Sequence, residues 1–157
     1  MANDNKLENA MLAYRTICSA LDARDWKYKE DTDKLLVNFG VNGEDLPMEF
    51  IIFADADRQL IRLMSLLPFK MSEAKRMEGA IATGAVNWKL ADGSFSYDLF
   101  DGTIVFKMAA SFQESTIGVG LIQYMISCAC AIVDKYNDKF LAIDKGVLSI
   151  QDFLKDE

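Results

Sequence analysis

Residues 117–133 carry no charged side chain, and Asp134, Lys135 and Asp138 follow at once. No other stretch constrains the fold as tightly. The run reaches only the short end of what a membrane span needs. Gln123 and Ser127 interrupt it, and Tyr124 lies at its middle instead of in an interfacial belt. A buried helix of a soluble protein is therefore expected, ahead of a membrane span or a partly exposed helix that holds a partner. A helix apolar on every side needs cover from more than one direction. Its own sheet supplies one side, and a second subunit is a source for another.

The strands of such a sheet are marked by period-two patterning. Leu35, Val37, Phe39 and Val41 share one face, and Asn42-Gly43 then signals a tight hairpin. The partner strand runs over 48–53, with Pro47 tolerated at its start. The turn Ala54-Asp55-Ala56-Asp57 leads into a strand over about 58–66, whose Leu60, Ile61, Leu63, Met64 and Leu66 imply cover on both faces. Trp26-Lys27-Tyr28-Lys29 alternates as a short strand would. Val86-Asn87-Trp88-Lys89-Leu90 reads as a strand running to Asp92-Gly93. Phe95, Tyr97 and Leu99 then alternate up to Asp101-Gly102, and Ile104, Phe106 and Met108 beyond it.

Helical spacing frames these strands. Leu7, Ala10, Met11, Tyr14, Ile17, Cys18 and Leu21 form one stripe, giving a helix over about 4–24 with Asp4 as its cap. Pro68 is expected to end the first group of strands, and Ser72 to cap a helix over about 73–85. Gly79, Thr83 and Gly84 weaken that helix; alternatively, the glycines permit close packing. A last short helix over 149–155 is capped by Ser149, with Asp152 three positions on, and buries Ile150 and Phe153. The expected fold class is α+β, an antiparallel sheet flanked by helices in the order α-β-β-β-β-α-β-β-β-α-α. It forms one domain over residues 1–157, with a core over about 5–146.

Charge and composition then exclude function classes. The net charge is −7, from 24 acidic and 17 basic residues, and the basic residues are interleaved with acids. Nucleic acid and anionic membrane are not expected partners, while basic protein segments suit the field. There is no histidine, which removes Ser-His-Asp and Cys-His nucleophile systems and histidine-containing zinc sites. Cys18, Cys128 and Cys130 do not form a disulfide framework, and Cys128 and Cys130 would sit about 200° apart on a helix. The start MANDNKLENAM lacks the pattern of a signal peptide. A reducing cytoplasm is expected.

The run Ala85-Val86-Asn87-Trp88-Lys89-Leu90, then Gly93-Ser94-Phe95-Ser96-Tyr97-Asp98, carries a family likeness. The hairpin Asp101-Gly102-Thr103-Ile104-Val105-Phe106 and the long apolar helix after Ser115 continue it. With its order of elements, the chain resembles the YbjN-like family, labelled bacterial sensory-transduction regulators, over about Leu7 to Gly146. The resemblance implies a fold similar to the type III secretion chaperones, which are α+β and usually dimeric. It implies no active site.

Individual candidates are weighed on their own chemistry. Asp55 and Asp57 are the one close acidic pair at a turn, but they lack the spaced ligands of a calcium loop. A solvated turn is expected there. Gly118-Val119-Gly120 is too short for a dinucleotide fingerprint. Asn87 either contacts a ligand or, as is expected, satisfies backbone groups where helix gives way to strand. Nothing basic lies near Cys128 or Cys130 to activate a thiol. No catalytic residue, cofactor or metal is assigned. The expectation is a non-enzymatic module that binds a protein partner, forms a homodimer and serves a regulatory or chaperone-like role. Its expected interface residues are Leu60, Leu63, Leu66, Leu121, Tyr124 and Met125. The alternative is a small-molecule sensor with an apolar pocket between sheet and helix.

Overall fold

The computed structural model describes residues 2–157, with side chains described from residue 4. Helix α1 (Ala2–Asp22) leads into strands β1 (Lys29–Asp31), β2 (Leu36–Asn42), β3 (Pro47–Asp55) and β4 (Leu60–Lys70). A single 3-10 turn (Glu73–Lys75) then opens into α2 (Arg76–Lys89). Strands β5 (Ser94–Tyr97) and β6 (Thr103–Ser111) follow, then α3 (Val119–Asp144) and α4 (Ile150–Asp156). All six strands pair antiparallel, in the order β1-β2-β3-β4-β6-β5.

The register explains which side chains are buried. Val37 opposes Ile52 and Ile52 opposes Leu63; Leu63 opposes Met108, and Phe106 opposes Phe95. Cross-strand partners share a face, so these buried residues all lie on one side of the sheet. The helices cover that side: α1 packs on β3, α3 on β3, β4 and β6, and α2 on β5. Rings of Phe95, Phe106 and Phe140 fill the space between sheet and α3, with centroids 5.1 Å apart for Phe95–Phe106 and for Phe95–Phe140. Each fully buried side chain of this size stabilises the fold by about 1.5–3 kcal/mol.

Most expected elements appear, and five details are corrected. The α+β class and the flanked antiparallel sheet stand, but residues 86–90 are not a strand. Helix α2 continues to Lys89, because Val86 joins Gly79, Ala82 and Thr83 on its buried face. Accordingly two strands, not three, follow α2. Pro68 does not end β4: the strand has left β3 behind after Met64, and its pairing with β6 shifts register between Leu66 and Lys70, so a missing N–H is tolerated.

Asn42-Gly43 does not make a two-residue hairpin. Four residues separate β2 from β3, and the Gly43 N–H bonds the Leu46 carbonyl at 3.1 Å. Ser72 makes no side-chain cap; its N–H donates to Asp144 Oδ1 at 2.7 Å, tying the turn to α3. Residues 26–28 precede β1, with Trp26 packed edge-on against Phe39. Ser149 does cap α4, accepting the Asp152 N–H. Gly102 (φ 79°) turns β5 into β6, as the Asp-Gly signal suggests.

Candidate interaction surfaces

All helices lie on one face of the sheet, so the opposite face is bare. Leu36, Phe53 and Arg62 form one cross-strand row there; Ile51, Met64 and Lys107 form a second, and Leu66 pairs with Val105 in a third. Nothing on this face is fully buried, and Leu66 is 58% exposed. The Arg62 guanidinium lies 5.2 Å from the Phe53 ring centre and 3.7 Å from Asp55, which fixes its orientation across an apolar row. Toward the β5–β6 turn, Leu99, Phe100, Val105 and Lys107 line an open groove of about 610 Å³. Phe100 stands 91% exposed there.

A second surface lies on α2. Its buried side packs on β5, while Met77, Ile81 and Trp88 point outward at helical spacing, with Trp88 89% exposed. Asn87, beside Trp88, does what the sequence suggests for it. Its amide nitrogen donates to the Phe95 carbonyl at 2.9 Å, and its oxygen accepts the Phe95 N–H at 2.8 Å. Strand β5 is the sheet edge, so Asn87 occupies the edge positions that another strand would pair with.

The six expected interface residues divide. Leu66 and Leu60 lie on the bare face, Leu66 open and Leu60 half-buried. Leu121 and Tyr124 are exposed on α3. Leu63 and Met125 are fully buried within the subunit, so neither reaches a partner. Leu63 falls on the helix-covered face because the pleat alternates. Met125 falls on the core stripe of α3 with Ile122, Ala129 and Val133. The sequence does not mark Met77, Ile81 or Phe100 as interface, and for Trp88 it favours the core over a recognition surface, whereas Trp88 is exposed. The stripe 77, 81, 88 is readable at helical spacing, but only when 86–90 is read as helix.

Burial pushes the Cys130 thiol up to about 11, with Asp134 adding to the effect. That direction opposes nucleophile activation. Asp55 accepts the backbone N–H and side chain of Arg58 and faces Arg62, which hold its carboxyl below the usual range against its burial. It is a turn anchor, with Asp57 left at the surface. Among the described residues no three His, Cys, Asp or Glu side chains gather as metal ligands. No helix among them is long and apolar enough to cross a membrane.

Residues 14–142 match a family described as "Putative bacterial sensory transduction regulator". The chain belongs to the YbjN family. Among solved structures, this YbjN-family chain is similar to one in "Structure of the HopA1-SchA Chaperone-Effector Complex", at 12% identity and a TM-score of 0.57. The match covers 84% of this chain and 97% of that one, and it shows a shared fold. No curated protein matches the YbjN-family chain significantly.

Proposed function

We infer that this YbjN-family protein is a non-catalytic, dimeric protein-interaction module of the bacterial cytoplasm, with a regulatory or chaperone-like role. The observation that carries this reading is the bare sheet face. Ile51, Met64, Leu66 and Val105 form an uncovered apolar strip that runs toward the Phe100 groove. Exposed contiguous apolar surface on a soluble chain marks interaction sites. Glu49 and Asp55 share that face with Arg62 and Lys107, and Asp55 is already paired with Arg58 and Arg62, so the strip has no strong charge of its own. A partner segment with apolar side chains suits it. The likeness to a chain of a chaperone–effector complex supports the reading at the level of scaffold.

A small-molecule sensor would need an enclosed space between sheet and helices. That space is filled by stacked and edge-on rings, among them Phe95, Tyr136 and Phe140.

Site-specific photo-crosslinking in the host cell tests the proposal. A photoreactive residue at Leu66 should give discrete adducts with another polypeptide, and one at Asp33, on the exposed β1–β2 turn, should not. An absence of adducts at positions 51, 66 and 100 alike would overturn it.

A further inference from the structure

A sheet that leaves one face to water places polar residues at its outward positions. Here Ile51, Phe53, Met64 and Leu66 stand at outward positions of β3 and β4. Two rows cross all four longer strands: Asn38, Ile51, Met64 and Lys107, then Leu36, Phe53, Arg62 and Ala109. Each row is complementary to its own reverse. Leu36 at one end answers Ala109 at the other, large against small. Asn38 answers Lys107, an acceptor against a donor. The Phe53 ring answers the Arg62 guanidinium, and Ile51 answers Met64.

Charge is divided between the strands in the same sense. On this face β3 carries Glu49 and Asp55, whereas β4 and β6 carry Arg62 and Lys107. Glu49 and Lys107 form no ion pair among the described residues. Gly40 adds a gap. It is exposed in the middle of β2 without a positive φ, and a Cβ there would meet only the Glu49 carboxylate, at 3.0 Å. A glycine inside a strand weakens it and marks a place where another chain comes close.

We propose that the occupant of the bare face is a second copy of this chain. The two sheets pack face to face about a two-fold axis that runs along the strands, between β3 and β4. Aligned sheets of this kind lie about 10 Å apart, with strands within about 30° of each other. The axis lays β3 over β4 of the partner subunit, and β2 over β6 of the partner subunit. Every complementary pair is then made twice, as an isologous interface requires. Val105 of the partner subunit faces the gap at Gly40. Lys107 of the partner subunit lies over Asn38, one strand and two residues from Glu49, a diagonal spacing that both side chains can bridge. An axis across the strands would instead lay β3 on β3 of the partner subunit, acid against acid. A different protein reaches this face only in place of the second copy.

The proposal rests on the reading of the bare face as an interaction surface and names its occupant. Light scattering and sedimentation of the full chain should show a dimer that dissociates on dilution. Ile51→Asp and Leu66→Asp, both at exposed positions, should each raise the dissociation constant by about thirtyfold or more. Circular dichroism should show both variants folded. Glu49→Lys and Lys107→Glu should each weaken self-association by a smaller factor, and mixing the two chains should favour the heterodimer in native mass spectrometry. A photoreactive residue at Asn38 should label the segment of the partner copy that contains Lys107.

A strictly monomeric wild type at high concentration, or a dimer indifferent to I51D and L66D, overturns the proposal. Charge variants that mix without preference, or labelling of β2 from position 38, overturn the axis. Leu66 adducts in the cell separate this proposal from the reading beneath it. Adducts between two copies of the chain support both. Adducts with a different polypeptide alone keep the interaction surface and remove the second copy as its occupant. Absence of adducts at positions 51, 66 and 100 removes both.

Discussion

Helices α2 and α3 make an instructive pair. The uncharged opening of α3 is the more apolar by far, and apolarity alone would make it the interface. In the fold it lies across β3, β4 and β6 and also meets α1 and α2, so that its Ile122, Met125, Ile126, Ala129 and Val133 are all buried. Helix α2 is shorter, contains two glycines and sits over the edge strand β5. Because it lies at the rim, its outer stripe has no neighbour. Position in the layer, more than apolar content, decides which helix keeps surface to offer.

The difference is broken most severely by cutting into α3. Phe140 is fully buried between Phe95, Tyr136 and Phe153. Phe140→Ala should cost about 3–5 kcal/mol in chemical denaturation, the usual range for a buried aromatic truncation. Trp88→Ala on α2, measured at concentrations where the chain is monomeric, should shift stability by no more than about 0.5 kcal/mol. Comparable losses from the two substitutions would mean that α2's outer stripe is covered within the subunit.

Next in size is the link between α2 and the sheet edge. Asn87→Ala leaves the N–H and carbonyl of Phe95 without their partner, which should cost about 1–3 kcal/mol. It should also open the β5 edge, so that aggregation rises with concentration. Asn87→Asp keeps an acceptor for the N–H and loses the donor, and should fall between. Urea denaturation with light scattering measures both effects. An N87A chain as stable as wild type would show that water replaces the amide.

Sequence reasoning follows the same contrast between centre and rim. Strands β2 and β3 and the buried stripe of α3 are legible because hydrophobic periodicity and burial coincide at the centre; α1 is legible too, although Leu7 and Met11 of its expected stripe are exposed, and the Ser149 cap is read from its own short motif. Residues 86–90 mislead because Val86, Trp88 and Leu90 alternate with Asn87 and Lys89, a strand's pattern, while Trp88 is in fact solvent-facing. At the rim, apolar residues are not confined to the core face, so the period no longer reports secondary structure. Leu63 and Leu66 looked alike in β4 for a related reason. The strand is apolar on both faces, and only the arrangement of the helices distinguishes the covered face from the bare one. Pro68 sits where β4 has outrun β3, which no local signal announces.

Gly84 gives a smaller effect. A Cβ there would meet nothing within 4 Å, so Gly84→Ala relieves a helix-interior glycine and should stabilise the fold by about 0.5–1 kcal/mol. Urea denaturation measures the gain, and a loss instead would show that α2's outer side is covered.

The smallest effect concerns acid stability at the β5–β6 turn beside α2. Hydrogen bonds from Thr103 and the Lys70 ammonium at 3.0 Å lower the Asp101 carboxyl from 3.8 to about 2. A carboxyl held lower in the folded chain than in the unfolded one binds fewer protons when folded. Its contribution is therefore complete above 3.8 and lost as pH falls toward about 2. Asp101→Asn should lower stability at neutral pH, and its difference from wild type should shrink across that interval. The carboxylate is about half exposed, so solvent screens the pairing and the change should be modest. Denaturation curves collected through the interval settle the sign. A difference that stays flat, or grows as the solution is acidified, would show that Asp101 acts by turn geometry alone, without help from its charge.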